Sequence, residues 1–302
     1  LGAQYTLDLL SRFQLTSEQM FQAFDYCKEK GILPLCTPWD HDSLQKLEVY
    51  GMLAYKLASA DLTNHDLLEA MARTGKPLLC STGMSSENEI VEAVKLLKRH
   101  NAPYVLLHCN STYPAPFKDI HLEYMDRLRQ VGDCIVGYSG HERGIAVPIA
   151  AVARGAKVIE KHFTLDRNWE GNDHRVSLLP EEFKAMVQSI REVEKALGSG
   201  EARLVTQGEM MNREVLAKSL IASRDIAVGE IVSAEMMDVR SPGQGLSPNR
   251  KPELIGRKVV RSMKAGDFFY PSDLDSSAAR PRAFKFRRPY GVPVRYHDVK
   301  FL

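Results

Sequence analysis

The sequence predicts an α/β protein: a TIM (β/α)8 barrel lacking its first two strands, followed by a small β-rich domain. Three observations lead there. Short apolar runs alternate with amphipathic helical stretches, the pattern of a parallel sheet covered by helices. Each run ends in a polar or ionisable group, and none leads into the glycine-rich turn of a dinucleotide-binding fold. That favours a barrel, with its site at the strand ends, over a doubly wound sheet. After Gly198-Ser-Gly200 the composition changes to short strand-like pieces interrupted by Gly and Pro.

In chain order, residues 7–30 have helical spacing, with Thr16 or Ser17 as N-cap, then Glu18, and Gly31 as a stop. Predicted strands follow at 32–37, 54–59, 77–82, 104–109, 134–139 and 157–164, most separated by one helical segment such as 87–100 or 143–154. Six strands leave a barrel two short, and the chain opens without Met, so an N-terminal part is expected to precede it. A helix at 182–197 closes the barrel domain, residues 1–200. A linker is expected over 201–212 and the β-rich domain over 213–275, with strand-like pieces at 219–223, 229–233, 256–260 and 268–271. The basic, aromatic stretch 276–302 reads as a linker or the start of a further domain.

Lys and Arg number 40 against 38 Asp and Glu, a formal charge of +2 with the signs interleaved, so no basic face stands out for nucleic acid or lipid. The five cysteines, Cys27, Cys36, Cys80, Cys109 and Cys134, are odd in number and sit mostly in apolar runs. They resemble reduced thiols rather than a disulfide framework or a zinc set. No signal peptide and no apolar run of membrane-spanning length is present, which makes the cytosol the expected compartment.

The stretch Val158-Ile-Glu-Lys-His-Phe-Thr164, with Gly171-Asn-Asp-His174 behind it, places three ionisable side chains at the end of an apolar run. That costs free energy unless each is paired, solvated or bound to a ligand. A salt-bridged strand end is the competing reading. In a barrel, Thr37, Lys56, Ser59, Ser81, Ser111, Tyr113, Ser139, His141, Glu160 and His162 would converge on one mouth. Hydroxyls, backbone N–H groups and a lysine suit a phosphate or carboxylate. His141 and His162, at successive strand ends, could share a divalent cation; alternatively each hydrogen-bonds its own loop. Lys56 could equally be a core lysine paired with Glu160 or Asp40, Tyr113-Pro114 a turn, and Trp39 a packing ring. His41, His65, His100, His121 and His297 lie in polar contexts that suit solvation, and His108 reads as a satisfied core residue.

The strings Cys36-Thr-Pro-Trp-Asp40, Tyr55-Lys-Leu-Ala-Ser59, Ser81-Thr-Gly-Met84, Leu107-His-Cys-Asn-Ser-Thr-Tyr-Pro114, Gly137-Tyr-Ser-Gly-His141, Glu160-Lys-His-Phe-Thr164 and Gly171-Asn-Asp-His174 resemble the sialic acid synthase family. These are phosphoenolpyruvate-dependent nonulosonate synthases. The later strings Asn212-Arg213, Ser219-Leu220, Asp225-Ile226, Gly229 and Pro242-Gly-Gln-Gly-Leu-Ser-Pro248 resemble that family's antifreeze-like (SAF) module.

The resemblance implies condensation of phosphoenolpyruvate with an N-acetylated hexosamine to a nine-carbon 2-keto sugar acid. It implies a cation (Mn2+, Mg2+ or Co2+) on His141 and His162, and phosphoenolpyruvate on Thr37, Lys56, Ser59, Ser81, Ser111, Tyr113 and Ser139. Glu160, Asp173 and Lys56 take catalytic roles, and Tyr113, Asp173 and Arg240 meet the sugar. A domain-swapped homodimer is also implied. Two departures stand out. The strands that carry a further Glu and Lys in the family are absent, so the 302-residue chain is expected to be inactive alone. The family's Arg before Pro-Gly is replaced by Ser241, with Arg240 one place earlier. Another phosphoenolpyruvate aldol-type synthase acting on a phosphorylated sugar, and a non-catalytic sugar-binding barrel, are the alternatives. Which hexosamine and which metal are used is not written in the sequence.

Overall fold

Thr16 ends one helix and starts another. In the computed structural model, which describes residues 3–274, the stretch 7–30 is two helices, α1 Ala3–Phe13 and α2 Ser17–Glu29, rather than one. Thr16 takes an extended backbone, its hydroxyl accepts the Gln19 N–H, and its own N–H donates to Gln19 Oε1 at 2.9 Å. This reciprocal cap satisfies donors that a continuous helix would use differently. The predicted strand at 32–37 shrinks to one parallel bridge, Cys36 to Tyr55. Pro34 and Pro38 flank that bridge, and proline has no N–H to extend a ladder.

The elements that follow are α3 His41–Tyr50, β1 Tyr55–Leu57, α4 His65–Arg73, β2 Leu78–Ser81, α5 Glu87–Arg99, β3 Tyr104–Cys109, α6 Tyr124–Gly132, β4 Ile135–Gly140, α7 Ala146–Ala153, β5 Ile159–Lys161 and α8 Pro180–Leu197. The strands form one five-stranded parallel sheet in the order β1-β2-β3-β4-β5. Each strand lies beside its successor with no reversal of order, so the sheet winds one way, as a barrel does. Phe163 adds a parallel bridge to Leu178 beyond β5. The result is a partial TIM-barrel-like array.

Strand side chains alternate between faces. On one face, Tyr55, Leu57, Leu78, Cys80, Leu106, Val136 and Tyr138 pack against Leu67, Met71, Ile90, Ala93, Leu97, Met125 and Leu128 of the covering helices. Their alternates, Lys56, Ser81, Cys109, Ser139 and Glu160, line the opposite face. Register aligns Cys109 with Ser139 and Ser139 with Glu160 across β3, β4 and β5. The apolar face thus builds the core, and the inward face is left for chemistry.

The chain divides into two compact units at Gly200 and Glu201. In the second, the stretch expected as a linker over 201–212 runs into helix α9 Gln207–Leu216. β6 Ser219–Ala222 pairs antiparallel with β7 Met237–Arg240, a strand the sequence did not mark. The other strand-like pieces contribute single bridges, Ile231 to Lys258 and Ile221 to Phe268, beside Ile226 to Met263. Helix α10 Lys251–Leu254 completes the unit, whose core gathers Leu220, Ile226, Val232, Met237, Leu246, Val259, Met263 and Phe269. Gly243 sits where a Cβ would lie 2.3 Å from the Arg213 carbonyl oxygen, so the Pro-Gly-Gln-Gly loop needs glycine there for space. Residues 276–302, and His297 with them, lie outside the described residues. Among the described residues no helix is long and apolar enough to cross a membrane.

Candidate active site

The inward face is curled. β1 and β5 are the two edges of the sheet, which if flat would stand roughly 19 Å apart at the usual strand spacing. Yet Lys56 Nζ on β1 lies 3.6 Å from Glu160 Oε2 on β5, and also donates to the Leu57 carbonyl at 2.8 Å. The pairing of Lys56 with Glu160 that the sequence left open is therefore present. Asp40 is not its partner, because that carboxylate caps α3 by accepting the Ser43 N–H at 2.7 Å. Glu160 Oε2 is buried without a hydrogen bond, as is Ser81 Oγ on β2.

At the β1–β3 end the hydroxyls converge on Gly83. Ser59 Oγ accepts the Gly83 N–H at 3.1 Å and donates to Cys109 Sγ at 3.6 Å. A Cβ on Gly83 would lie 2.2 Å from Ser111 Oγ, 2.8 Å from Ser59 Oγ and 3.0 Å from Cys109 Sγ. The absent side chain leaves a notch rimmed by two hydroxyls and an amide. Thr37 is half-buried beside the Cys36 bridge, and Ser139 is buried on β4 between Cys109 and Glu160.

At the β4–β5 end the rings of His141 and His162 have centroids 5.0 Å apart. Tyr113 lies over both, at 4.2 Å and 5.7 Å. His141 Nδ1 is 2.7 Å from the Asn110 carbonyl oxygen, which only accepts, so Nδ1 carries the proton. That leaves the Nε2 lone pair free to accept the Tyr113 hydroxyl at 3.0 Å. Burial, reinforced by the Asp173 carboxylate, pushes the Tyr113 phenol up to about 12, so it stays a donor.

His162 Nδ1 is 3.7 Å from Asp173 Oδ2. Burial holds the His162 pKa below the ordinary imidazole value although Asp173 opposes it. Burial works the same way on His141, but the Cys109 thiol, the Asn110 carbonyl and Glu160 outweigh it and raise its pKa. Among the described residues no three His, Cys, Asp or Glu side chains gather into a ready-made metal cage. Two imidazoles, with His141 Nε2 unprotonated and released by the Tyr113 hydroxyl, fit a cation that draws its remaining ligands from water and substrate oxygen.

Lys56, Ser59, Ser81, Ser111, Tyr113, Ser139, His141, Glu160 and His162 all belong to this one unit, on its strands or the loops that leave them, and Asp173 belongs to it too, on the short turn Asp173–Arg175 further along the chain from β5. Arg240 belongs to the second unit, on β7, where it is exposed and 3.7 Å from Asp238. Trp39 is 63% exposed and packs no barrel mouth. His108 is a satisfied core residue, bonded to the Ile120 carbonyl at 2.6 Å. His100, expected to be solvated, is half-buried and lies 3.2 Å from Glu69, and His41 pairs with Asp66.

Sequence reasoning missed a second pair behind the histidines. Lys161 Nζ and Glu142 Oε1 are 2.8 Å apart with both side chains 0% exposed, and Tyr138 donates to Glu142 Oε2 at 2.6 Å. Their signal was adjacency: Glu142 follows His141 and Lys161 precedes His162.

The NeuB family model matches residues 1–202, and the SAF domain model matches residues 217–275. An uncharacterised protein of Methanocaldococcus jannaschii is 41% identical over 271 residues, 88% of this chain and 79% of that protein. The N,N'-diacetyllegionaminic acid synthase of Campylobacter jejuni is 37% identical over 261 residues, 85% of this chain and 78% of its own length. Among solved structures, the N-acetylneuraminic acid synthetase of Leptospira borgpetersenii has a TM-score of 0.66 and 34% identity, covering 71% of this chain and 76% of that one.

Proposed function

Because the chain belongs to the NeuB family of sialic and related nonulosonate synthases, with a SAF domain on its C-terminal side, we propose that it joins phosphoenolpyruvate to an N-acetylated hexosamine. The products are a nine-carbon 2-keto sugar acid and phosphate. The observation that supports this most is the curled inward face, where a lysine and a hydroxyl-rimmed notch stand at one end and two imidazoles at the other.

Lys56 and the hydroxyls of Ser59, Ser81 and Ser111 can each turn a donor toward the phosphate and carboxylate of phosphoenolpyruvate, while the Gly83 N–H, bonded to Ser59 Oγ, positions that hydroxyl. Thr37, Ser139 and the Tyr113 hydroxyl complete that set. C3 then attacks the aldehyde carbon of the open-chain sugar, whose oxygen takes up a proton to become a hydroxyl. Water adds at C2 and gives one proton to Glu160, which replaces the proton taken up by the new hydroxyl; the C2 adduct then collapses to the ketone as its C–O bond to phosphate breaks, and its remaining hydroxyl proton leaves with the phosphate. Glu160 fits that role because its Oε2 is buried without a hydrogen bond, and an anion beside Lys56 would draw the ammonium away from it. Asp173 serves as acceptor for a sugar hydroxyl. His141 and His162 would hold a divalent cation (Mn2+, Mg2+ or Co2+), which when bound polarises the aldehyde oxygen. The Asn110 carbonyl holds the His141 ring in the tautomer this requires, and a cation on Nε2 would displace the Tyr113 hydroxyl toward substrate.

We further read residues 1–200 as the synthase domain, 213–275 as the SAF domain, and the working protein as a cytosolic homodimer in which the SAF domain and Arg240 serve the partner's site. The sugar stays at the level of its class. The Campylobacter relative and the Leptospira structure have different named products at 37% and 34% identity. A phosphate-release assay on the product of the whole gene, with a panel of hexosamines, tests the reading. Release is expected with at least one sugar, and His162→Ala should lower turnover by more than about a hundredfold. Near-normal activity in that variant removes the cation from the scheme. No release with any metal favours a non-catalytic sugar-binding barrel.

A further inference from the structure

The two imidazoles stand one residue past the point where their strands stop pairing. The last rung of the β4–β5 ladder joins Gly140 to Lys161, and His141 and His162 follow it directly. Past that rung each backbone turns to another segment. The His141 carbonyl accepts the Ala115 N–H at 3.1 Å, and the His162 carbonyl accepts the Leu178 N–H at 2.8 Å. A side chain then ties one strand end to the other: Lys161 Nζ donates to the Glu142 carboxylate at 2.8 Å and also to the Glu142 backbone carbonyl. His141 is thereby held between the last ladder residue of β4 and a residue whose backbone is pinned to β5.

The tie is built into the packing. Tyr138, buried on β4, donates to the other Glu142 oxygen at 2.6 Å, and both charged side chains are sealed from solvent. Gly140 makes room for the three: a Cβ there would lie 2.6 Å from the Tyr138 ring and 2.7 Å from Glu142 Oε2. Apolar side chains of similar size would often fill such a space at equal or lower cost, because two charges taken out of water recover only part of their hydration from each other. What an ion pair with a hydroxyl brace adds is direction, since its bonds have set lengths and angles that apolar contacts lack. A cation shared by two imidazoles needs that precision, as its bond lengths tolerate errors of only about 0.2 Å. Lys161 alternates with Glu160 and faces away from the inward surface, so the pair acts on the rings through the backbone and not on substrate.

We propose that Glu142, Lys161 and Tyr138 are positioning residues that set the spacing of His141 and His162 for a divalent cation. This rests on the cation reading above and deepens it, by naming residues that govern the ion's affinity without meeting it. The test measures Mn2+ binding to the 302-residue chain by calorimetry, beside its stability in urea and the imidazole nitrogen NMR signals of the metal-free chain. The double variant Glu142→Leu with Lys161→Met removes the directed bonds and leaves no charge buried alone. It should regain most of the wild-type stability yet bind Mn2+ about tenfold more weakly or worse, the loss expected when the groups that orient a ligand are removed. Its His141 signals should pass from one Nδ1-protonated tautomer to a mixture of two. Tyr138→Phe keeps the ring and loses only the brace, so its affinity should fall less, by a fewfold. Wild-type Mn2+ affinity in the folded double variant overturns the proposal; should that variant not fold, wild-type affinity in Tyr138→Phe overturns it. A wild type that binds no Mn2+ sinks the cation reading instead. The nitrogen signals then decide alone, and a single unchanged tautomer in the variants removes the positioning role as well.

Discussion

Consecutive residues of β5 serve two lysine–glutamate pairs on opposite faces of one sheet. Lys161 points outward and meets Glu142 at 2.8 Å, with both side chains sealed from solvent and Tyr138 bonded to the same carboxylate. Glu160 points inward and meets Lys56 at 3.6 Å, with side chains 41% and 11% exposed and Oε2 without a hydrogen bond. The first pair is saturated, the second unfinished. A saturated buried pair fixes geometry, and here it clamps the strand ends that bear His141 and His162. An unfinished pair holds two charges in reserve for a ligand, at the cost of weaker bonding when empty.

The contrast breaks if the sealed pair proves dispensable. Glu142→Ala or Lys161→Met should each destabilise the protein by about 3–5 kcal/mol in urea unfolding, because one charge is left buried alone. Replacing both together, Glu142→Leu with Lys161→Met, should recover much of that loss. Single-variant losses under about 1 kcal/mol would place the two pairs in one class. For the inward pair the expectation reverses. Lys56→Met should change stability by no more than about 1 kcal/mol, while weakening phosphoenolpyruvate binding by about tenfold or more, read by calorimetry.

A smaller effect sharpens the same division on β2. Ser81 faces inward with an unsatisfied hydroxyl, and its neighbour Cys80 faces outward into the core. Ser81→Ala should leave stability unchanged or slightly raised and weaken anion binding a fewfold, since it removes a group with no partner in the free protein. Burial pushes the Cys80 thiol up to about 12 from its ordinary value of 9.0. A raised thiol pKa stabilises the fold fully below the unfolded value, and that contribution fades as pH rises through the folded one. At pH 9 Cys80 should therefore resist thiol reagents until denaturant is added, and rapid labelling of the folded chain would contradict its burial.

The strands of the sheet were legible because parallel strands buried on both sides read as unbroken apolar runs; 104–109 appears as β3 with the bounds expected. The stretch 32–37 looked equally apolar, but its flanking prolines cut the ladder to one bridge, and the Thr16 cap divided a helix whose periodicity ran through it. In the second unit, Gly and Pro marked the turns correctly but hid β7, whose Met-Asp-Val-Arg pattern carries little apolar signal. At the site, side chains at strand ends could be read from the chain. The carbonyl of Asn110, the thiol of Cys109 and the Glu142–Lys161 pair could not, since each acts through a contact between distant segments.

Gly83 owes its identity to volume rather than backbone freedom: its φ is an ordinary one, and the collision a methyl group would meet is with Ser111 and Ser59. One added carbon would therefore act as a stopper, giving a protein that folds and keeps its imidazoles yet has nowhere to seat an anion. Gly83→Ala therefore separates the two ends of the inward face, closing the notch while leaving the histidine end as it is.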